Sequence, residues 1–596
     1  MGLKRSPAEI RFRLQQEFAN LRYLLLPPTL PEAARSFPVL PEPPIEEIPH
    51  FAPDCLRIAD EVLQHRFPLL GMTVETGESI AWRRDYVSGL ETGLAYFRCL
   101  PYLDAHKAGD HKNIWEINRH QHLVLLAQAY RISGERKYLG EIVDQLESWF
   151  EQNPFQRGIN WTSALEVAFR ALSWIWVDHL VGRDFEAGFR HRLLEGLYQH
   201  GLHLEVNLSR YFSPNTHLLG EALALDAIGR LYPQFPRATR WTKIGTGIVW
   251  KELDRQVLGD GCYFELSPYY HVYALDMFVF HAVLAGADEN YRGKLKRMAE
   301  FLDVLTGASG RLPFLGDDDG GRFFHPYGER DWFGLATLAT CGLLLNCPEW
   351  IRDPRHLEDQ AFWWLGTHPV PAQVTRLTAA SVRFNDCGLF VMAAGDAQVI
   401  VDAGPFGPGT AGHSHADTLS IVVRKAEKDI LVDPGTYTYV GDPAWRNWFR
   451  GTAAHNTVRI DGQDQAVEGG PFAWRTRPTV EVLAWESSPK RDRLVAACSY
   501  RGFRHEREVV FDKVGMRVAV TDRVAGSDTE GHRIEQFWHF GPETDKSRLC
   551  FGGTLSPREI EGWVSPALAR KVAAPVWCVE VSDSLPLELR AEIVLS

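Results

Sequence analysis

Apolar residues recur three and four positions apart through the first 365 residues, the spacing of a helix face. The pattern is clearest at residues 117–130, 164–177, 218–231 and 298–305. Short segments carrying Pro, Gly and Asn, such as Gln152-Asn153-Pro154 and Ser213-Pro214-Asn215, predict tight connections between helices. Near Gly366 the texture changes, and residues 367–377 read as a linker. Short β-branched runs follow at 399–402, 419–424, 457–461, 509–511 and 518–521, bounded by Gly, Asp and Pro. Their alternation of apolar and polar residues predicts strands with one buried face. Helices first and strands second predict two domains, 1–365 and 366–596, and an α+β class without alternating βα units.

Composition adds exclusions. The chain has 596 residues, 45% hydrophobic and 23% charged, as in ordinary globular proteins. Its 19 Trp and 32 Phe suit a large core, and also the stacking of sugar rings. A net charge of −12 argues against a nucleic-acid partner, which calls for a basic field. An enzyme of polyanions with this charge must gather Arg, Lys and His locally in one cleft. No apolar run approaches the roughly 18 residues of a membrane span, so no membrane partner is expected. The nine cysteines are scattered without a C-x-x-C pair and read as free thiols. The charged N-terminal stretch lacks a secretory apolar core. A cytoplasmic location is expected, or a periplasmic or secreted one if a leader has been removed. Oligomeric state is left open.

Three segments carry candidate chemistry. Asn215 precedes a predicted helix with His217 in its first turn and Glu221 one turn further along the same face. Free N–H groups and the helix dipole favour an anion there, while an Asn cap with a surface His is the plain alternative. Residues 260–273 hold four Tyr, with Glu265 and His271. A Tyr near a cation can move a proton at a sugar carbon or glycosidic oxygen; core aromatics are the alternative. His413 and His415 lie two apart before a strand, with Asp433 and His455 further on. Two His and a carboxylate suit zinc or another first-row divalent ion. On a loop, the two His can splay, one to a cleft and one to a metal. The acidic turn Asp317-Asp318-Asp319 lacks a full calcium-loop pattern and reads as a brace at the domain interface.

Taken together, and in order, these stretches resemble the heparinase II/III-like polysaccharide lyases. The match runs over roughly residues 110–465. It includes Trp115 to Arg119, Asn160 to Glu166 with Arg170, Asn215 to His217, Glu265 to His271, Gly412 to Ser420, Asp433 to Tyr437 and Phe449 to Thr457. The resemblance implies an incomplete α/α toroid followed by an antiparallel, sandwich-like β-sheet domain, and β-elimination on uronate residues. It places the family's catalytic residues on Asn215, His217, Tyr270 and His413, with Tyr269 the nearest rival to Tyr270. It places a structural divalent ion, zinc with manganese as the alternative, on His415, Asp433 and His455. Arg119, His120, Tyr269, Arg446 and Arg450 are expected to bind substrate, with Lys112 nearby. The chain departs from the family's usual Asn-Asn-His at Thr216, which removes one amide from substrate recognition. The expected substrate is a glycosaminoglycan of the heparan sulfate, hyaluronan or chondroitin type. Alternatives are an alginate or oligouronide lyase, a glycoside hydrolase using Glu265 with one of Asp317 to Asp319, or a non-catalytic carbohydrate binder.

Overall fold

The computed structural model describes residues 5–31, 36–45, 52–324, 333–358, 360–366, 380–526, 531–553 and 555–595. The predicted linker at 367–377 lies outside them. Four helices, Gln121–Ser133, Ala164–Val181, Thr216–Leu231 and Pro268–Ala285, pack side by side in chain order. Behind them run Arg136–Gln152, Ala187–Asn207, Ala238–Gln256 and Glu289–Thr306. Together they form two curved layers, an incomplete α/α toroid.

Sequence separates the layers. In Ala164–Val181 every residue but His179 is buried, because neighbours cover it all round. In Glu289–Thr306 burial follows one stripe through Tyr291, Leu295, Met298, Leu302 and Leu305. The layers approach closely where side chains are small. A Cβ at Gly245 would meet the carbonyl oxygen of Ala222 at 2.5 Å.

The C-terminal part is antiparallel throughout its named sheets. One sheet has the order Val382–Phe384, Leu389–Ala394, Ala397–Asp402, Ile421–Lys425, Lys428–Leu431. A six-stranded sheet runs Thr479–Ser487, Arg491–Tyr500, Phe503–Asp512, Arg517–Gly526, Leu587–Val594, Leu549–Phe551. A four-stranded sheet runs Arg558–Ile560, Val576–Ser584, Gly531–His539, Val458–Ile460. Val399, Val401, Ile421 and Val423 share one core with Leu494, Val509, Phe511, Val518 and Ile534. This is sandwich packing.

The opposite face of the first sheet corrects the expected alternation. Val391, Ile400 and Val422 pack on Phe301 and Leu305 of the helical layers. Covered on both faces, Ala397–Asp402 has five consecutive buried residues. Phe503–Asp512 and Arg517–Gly526 do alternate, as a half-exposed sheet should. This packing of sheet on helix sets the junction at which the chemistry-bearing loops meet. No described helix is long and apolar enough to cross a membrane, and all nine cysteines are free.

Candidate active site

Two helix N-termini and two loops converge at the junction. Asn215 caps Thr216–Leu231, its side chain accepting from His217 N at 3.2 Å. Its Nδ2 donates to Glu265 Oε1 at 2.6 Å, and Thr216 Oγ1 donates to Glu265 Oε2 at 2.7 Å. Ser267 and Pro268 open the helix Pro268–Ala285, which places Tyr270 in the first turn. Ser267 Oγ donates to the Asp317 carbonyl at 2.6 Å, tying that helix start to the acidic turn.

Asp317 holds the sheet-side loop. Its carboxylate accepts from Arg446 Nη2 at 2.8 Å and from Arg446 Nη1. His413 Nδ1 and His415 Nε2 each lie 3.0 Å from it. Asp317 N also donates to the His413 carbonyl at 2.9 Å. Gly316 makes this grip possible: it has φ +66°, and a Cβ there would meet His413 O at 2.6 Å. Burial opposes the charge on Asp317, but Arg446 and the two imidazoles outweigh it and hold its carboxyl far below the usual range.

Tyr270 stacks on His413, with centroids 3.9 Å apart and planes at 25°. Its hydroxyl donates to Asp319 Oδ2 at 3.2 Å and meets Tyr439 Oη at 3.0 Å. Burial first, then Asp319 and Tyr439, push the phenol well above its ordinary pKa. With Nδ1 committed to Asp317, His413 presents Nε2, which lies 3.6 Å from Glu265 Oε1. Burial lowers the His413 pKa, but Asp317 and Glu265 prevail and raise it. His217 goes the other way: burial lowers its pKa despite Glu265 and Glu166. A cavity of about 200 Å³ adjoins the cluster, lined by Tyr269, Asp318, Arg322, Arg424 and Asp433 among others.

A second cluster lies behind Asp317. Ligand atoms of His415, Asp417, Asp433 and His455, all buried, lie within 4.8 Å of one another. His415 Nδ1 and His455 Nε2 have no hydrogen-bond partner. Burial pushes the Asp433 carboxyl up to about 7 and raises Asp417 as well. Orphaned ring nitrogens beside two desolvated carboxylates fit a divalent cation.

This architecture extends to known proteins. Residues 47–304 match the heparinase II/III N-terminus, and residues 376–592 match the heparinase II/III-like C-terminal domain. The chain belongs to the heparinase II/III-like family. It is 25% identical over 509 residues to a heparin-sulfate lyase of Bacteroides stercoris, across 80% of this chain and 68% of that protein. It is 23% identical over 427 residues to a heparin-sulfate lyase of Pedobacter heparinus, across 67% of this chain and 59% of that one. A crystal structure of heparinase III shares the fold, with TM-score 0.71 and 17% identity over 97% of this chain and 88% of that one.

In this heparinase II/III-like chain, the residues expected from sequence separate into two groups. Asn215, His217, Tyr270 and His413 come together, and His415, Asp433 and His455 form the second cluster. Tyr269 lines the adjoining cavity, its buried hydroxyl without a hydrogen-bond partner. Four residues expected to bind substrate are buried and engaged within the protein. Arg446 is 1% exposed and clamps Asp317 with both terminal nitrogens. Arg450 is equally buried, bonded to Asn447 Oδ1 and Pro471 O. Arg119 is buried in a bidentate pair with Glu166 at 2.7 and 2.8 Å. His120 lies in the helical core, accepting from Trp174 Nε1 at 2.8 Å. These side chains are structural because their hydrogen-bonding groups are already used or enclosed. Lys112 likewise sits between Glu116 and Asp319, at 2.9 and 3.3 Å. The expected basic residues are thus engaged within the protein, Arg119, Arg446 and Lys112 by carboxylates and Arg450 by Asn447 and Pro471.

Sequence reasoning missed Tyr439 and the ligand geometry of Asp417. Asp417 lies two residues after His415, and extended-chain spacing could have put both on one side. Tyr439 stands two beyond Tyr437 by the same spacing, but its partner Tyr270 is 169 positions away.

Proposed function

We propose that this chain is a polysaccharide lyase that cleaves heparan sulfate, or a related uronate-containing glycosaminoglycan, by β-elimination. The observation that carries the chemistry is the Tyr270–His413 stack beside Asn215 and His217, where the helical and β-sheet parts meet. The names of the relatives carry the substrate class. A hydrolase would need a protonated carboxylic acid facing the bond. Asp317 and Asp319 are instead held ionised by cations, and Glu265 is engaged through both oxygens.

β-Elimination removes the C5 proton of a uronate while its carboxylate is already negative. Charge building at that carboxylate must meet hydrogen-bond donors, each worth on the order of 10²–10³ in rate. Asn215 and His217 supply them, and His217 donates as a neutral imidazole because burial lowers its pKa. Thr216 anchors Glu265 and thereby orients the Asn215 amide. Tyr270 keeps its proton and delivers it to the departing O4. For a uronate whose C5–H and O4 share a face, Tyr270 takes the C5 proton as it passes its own to O4, and so ends the step neutral. For the opposite epimer, His413 Nε2 takes it, with Asp317 fixing the tautomer.

His415, Asp417, Asp433 and His455 hold one divalent ion. Two imidazoles and two carboxylates suit zinc, with manganese the alternative. An ion held by these residues would supply charge that fixes the loop bearing His413.

The test is incubation of the purified chain with heparan sulfate, hyaluronan, chondroitin sulfates and alginate while following ultraviolet absorbance from unsaturated uronate. A rise on a glycosaminoglycan is expected, reduced on the order of 10²–10³ in Tyr270→Phe. New reducing ends without absorbance would establish hydrolysis instead.

A further inference from the structure

Four aromatic rings pack on one another outside every hydrophobic core of the described residues. Trp445 lies 5.9 Å from Trp448, 5.7 Å from Trp563 and 5.9 Å from Tyr437, centroid to centroid. None of the four is fully buried. Lys571 Nζ stands 3.3 Å from the Trp445 centroid, 4.3 Å from Trp563 and 5.5 Å from Tyr437. No carboxylate of a described residue pairs with this ammonium.

The patch is built from two pieces. One is the hairpin of Trp563–Ala567 and Arg570–Ala573. It docks through Ser565 N to Pro434 O and Ala569 N to Tyr437 O, both at 2.7 Å. The other is the helix Pro443–Phe449, capped by Asp442. The segment 437–449 therefore serves two places at once. It sends Tyr439 and Arg446 into the catalytic cluster, and Tyr437, Trp445 and Trp448 into the patch. The patch and the catalytic cluster thus share one stretch of chain.

Half-exposed indoles forgo the burial that usually stabilises a Trp. Their flat faces suit the C–H face of a pyranose. An ammonium has three donors and no acceptor, and the rings around Lys571 offer it no ionic partner. Donors remain for an anion held against the same rings. A chain of sugars bearing sulfate or carboxylate offers both features within one residue.

We propose that Trp445, Trp448, Trp563 and Lys571 form a distal subsite for an anionic sugar, beyond the two residues whose linkage is cut. The inference rests on the glycosaminoglycan reading above and extends it to longer chains.

Direct binding tests it on the full chain. Trp563→Ala and Lys571→Gln are titrated with a heparan sulfate tetrasaccharide, a dodecasaccharide, and an unsulfated dodecasaccharide of the same backbone. Affinity for the sulfated dodecasaccharide should fall about fivefold to tenfold in each variant. The tetrasaccharide should lose less than twofold, with melting temperatures unchanged and Lys571→Arg restoring affinity. If Lys571→Gln weakens only the sulfated chain, the anion is sulfate; if it weakens both, it is carboxylate. Equal losses for both lengths, or none for the long chain, overturn the subsite. Should no glycan be cleaved while long-chain binding still depends on these residues, the lyase reading falls and the subsite stands.

Discussion

Glu221 lies one turn from His217, fully buried, and accepts from Ser209 N and Oγ, both at 2.6 Å. Burial raises its pKa to about 8, and the Ser209 hydrogen bonds only moderate that. Unfolding returns it to about 4.3. A folded pKa above the unfolded one gives stability that is whole below the unfolded value and is lost as pH rises through the folded value. Between about pH 4.5 and 8, Glu221 should therefore cost stability on the order of a few kcal/mol. Glu221→Gln keeps both Ser209 contacts and should flatten that part of the decline. Thermal melts across this range compare the two, and parallel curves would refute the assignment. The same physics limits what residue type reveals. Arg119, Arg446 and Arg450 look like substrate ligands by charge, yet the carboxylates that grip Arg119 and Arg446 bidentately lie 47 and 129 positions away. His415 and Asp433 were legible because their chemistry needs few residue types in a recognisable motif.

Between elements, Asp317 is the joint. It lies on the turn after the helix Glu289–Thr306 and grips the loop before the strand Ile421–Lys425 through His413 and His415, and the helix Pro443–Phe449 through Arg446. Asp317→Asn would leave Arg446 buried without its counter-charge, a loss of about 3–5 kcal/mol. It would also free the His413 tautomer. The expected outcome is a lower melting temperature and a kcat that falls more than KM rises. An unchanged melt would show that the clamp contributes nothing. The brace role was legible as an acidic turn, but not its partners. Helices were legible because apolar residues recur three and four apart in both layers, as a one-sided stripe in Glu289–Thr306 and more widely in Ala164–Val181. The first sheet was less so, since cover on both faces erases the period of two.

At the scale of the molecule, two bodies of different architecture meet through an apolar sheet-on-helix contact and a cluster of ionised and hydrogen-bonded groups, and the second cluster sits close behind that seam. His415 connects the two sites, with Nε2 on Asp317 and Nδ1 unpartnered beside Asp417, Asp433 and His455. Two buried carboxylates at this distance repel each other, and each orphaned imidazole nitrogen carries its own desolvation cost. A bound cation removes both penalties at once, so its binding free energy becomes folding free energy of the sheet part. Elemental analysis of the purified chain should then find one divalent ion per chain. Exhaustive chelation should lower the melting temperature by about several degrees, and re-addition of zinc or manganese should restore it. Activity should fall with the melt and return with it, because the ion acts through the loop that carries His413. In Asp417→Ala the chain should melt near the chelated value with or without added metal. A chain that carries no metal and melts identically before and after chelation would show that the cluster is held by hydrogen bonds and protons alone.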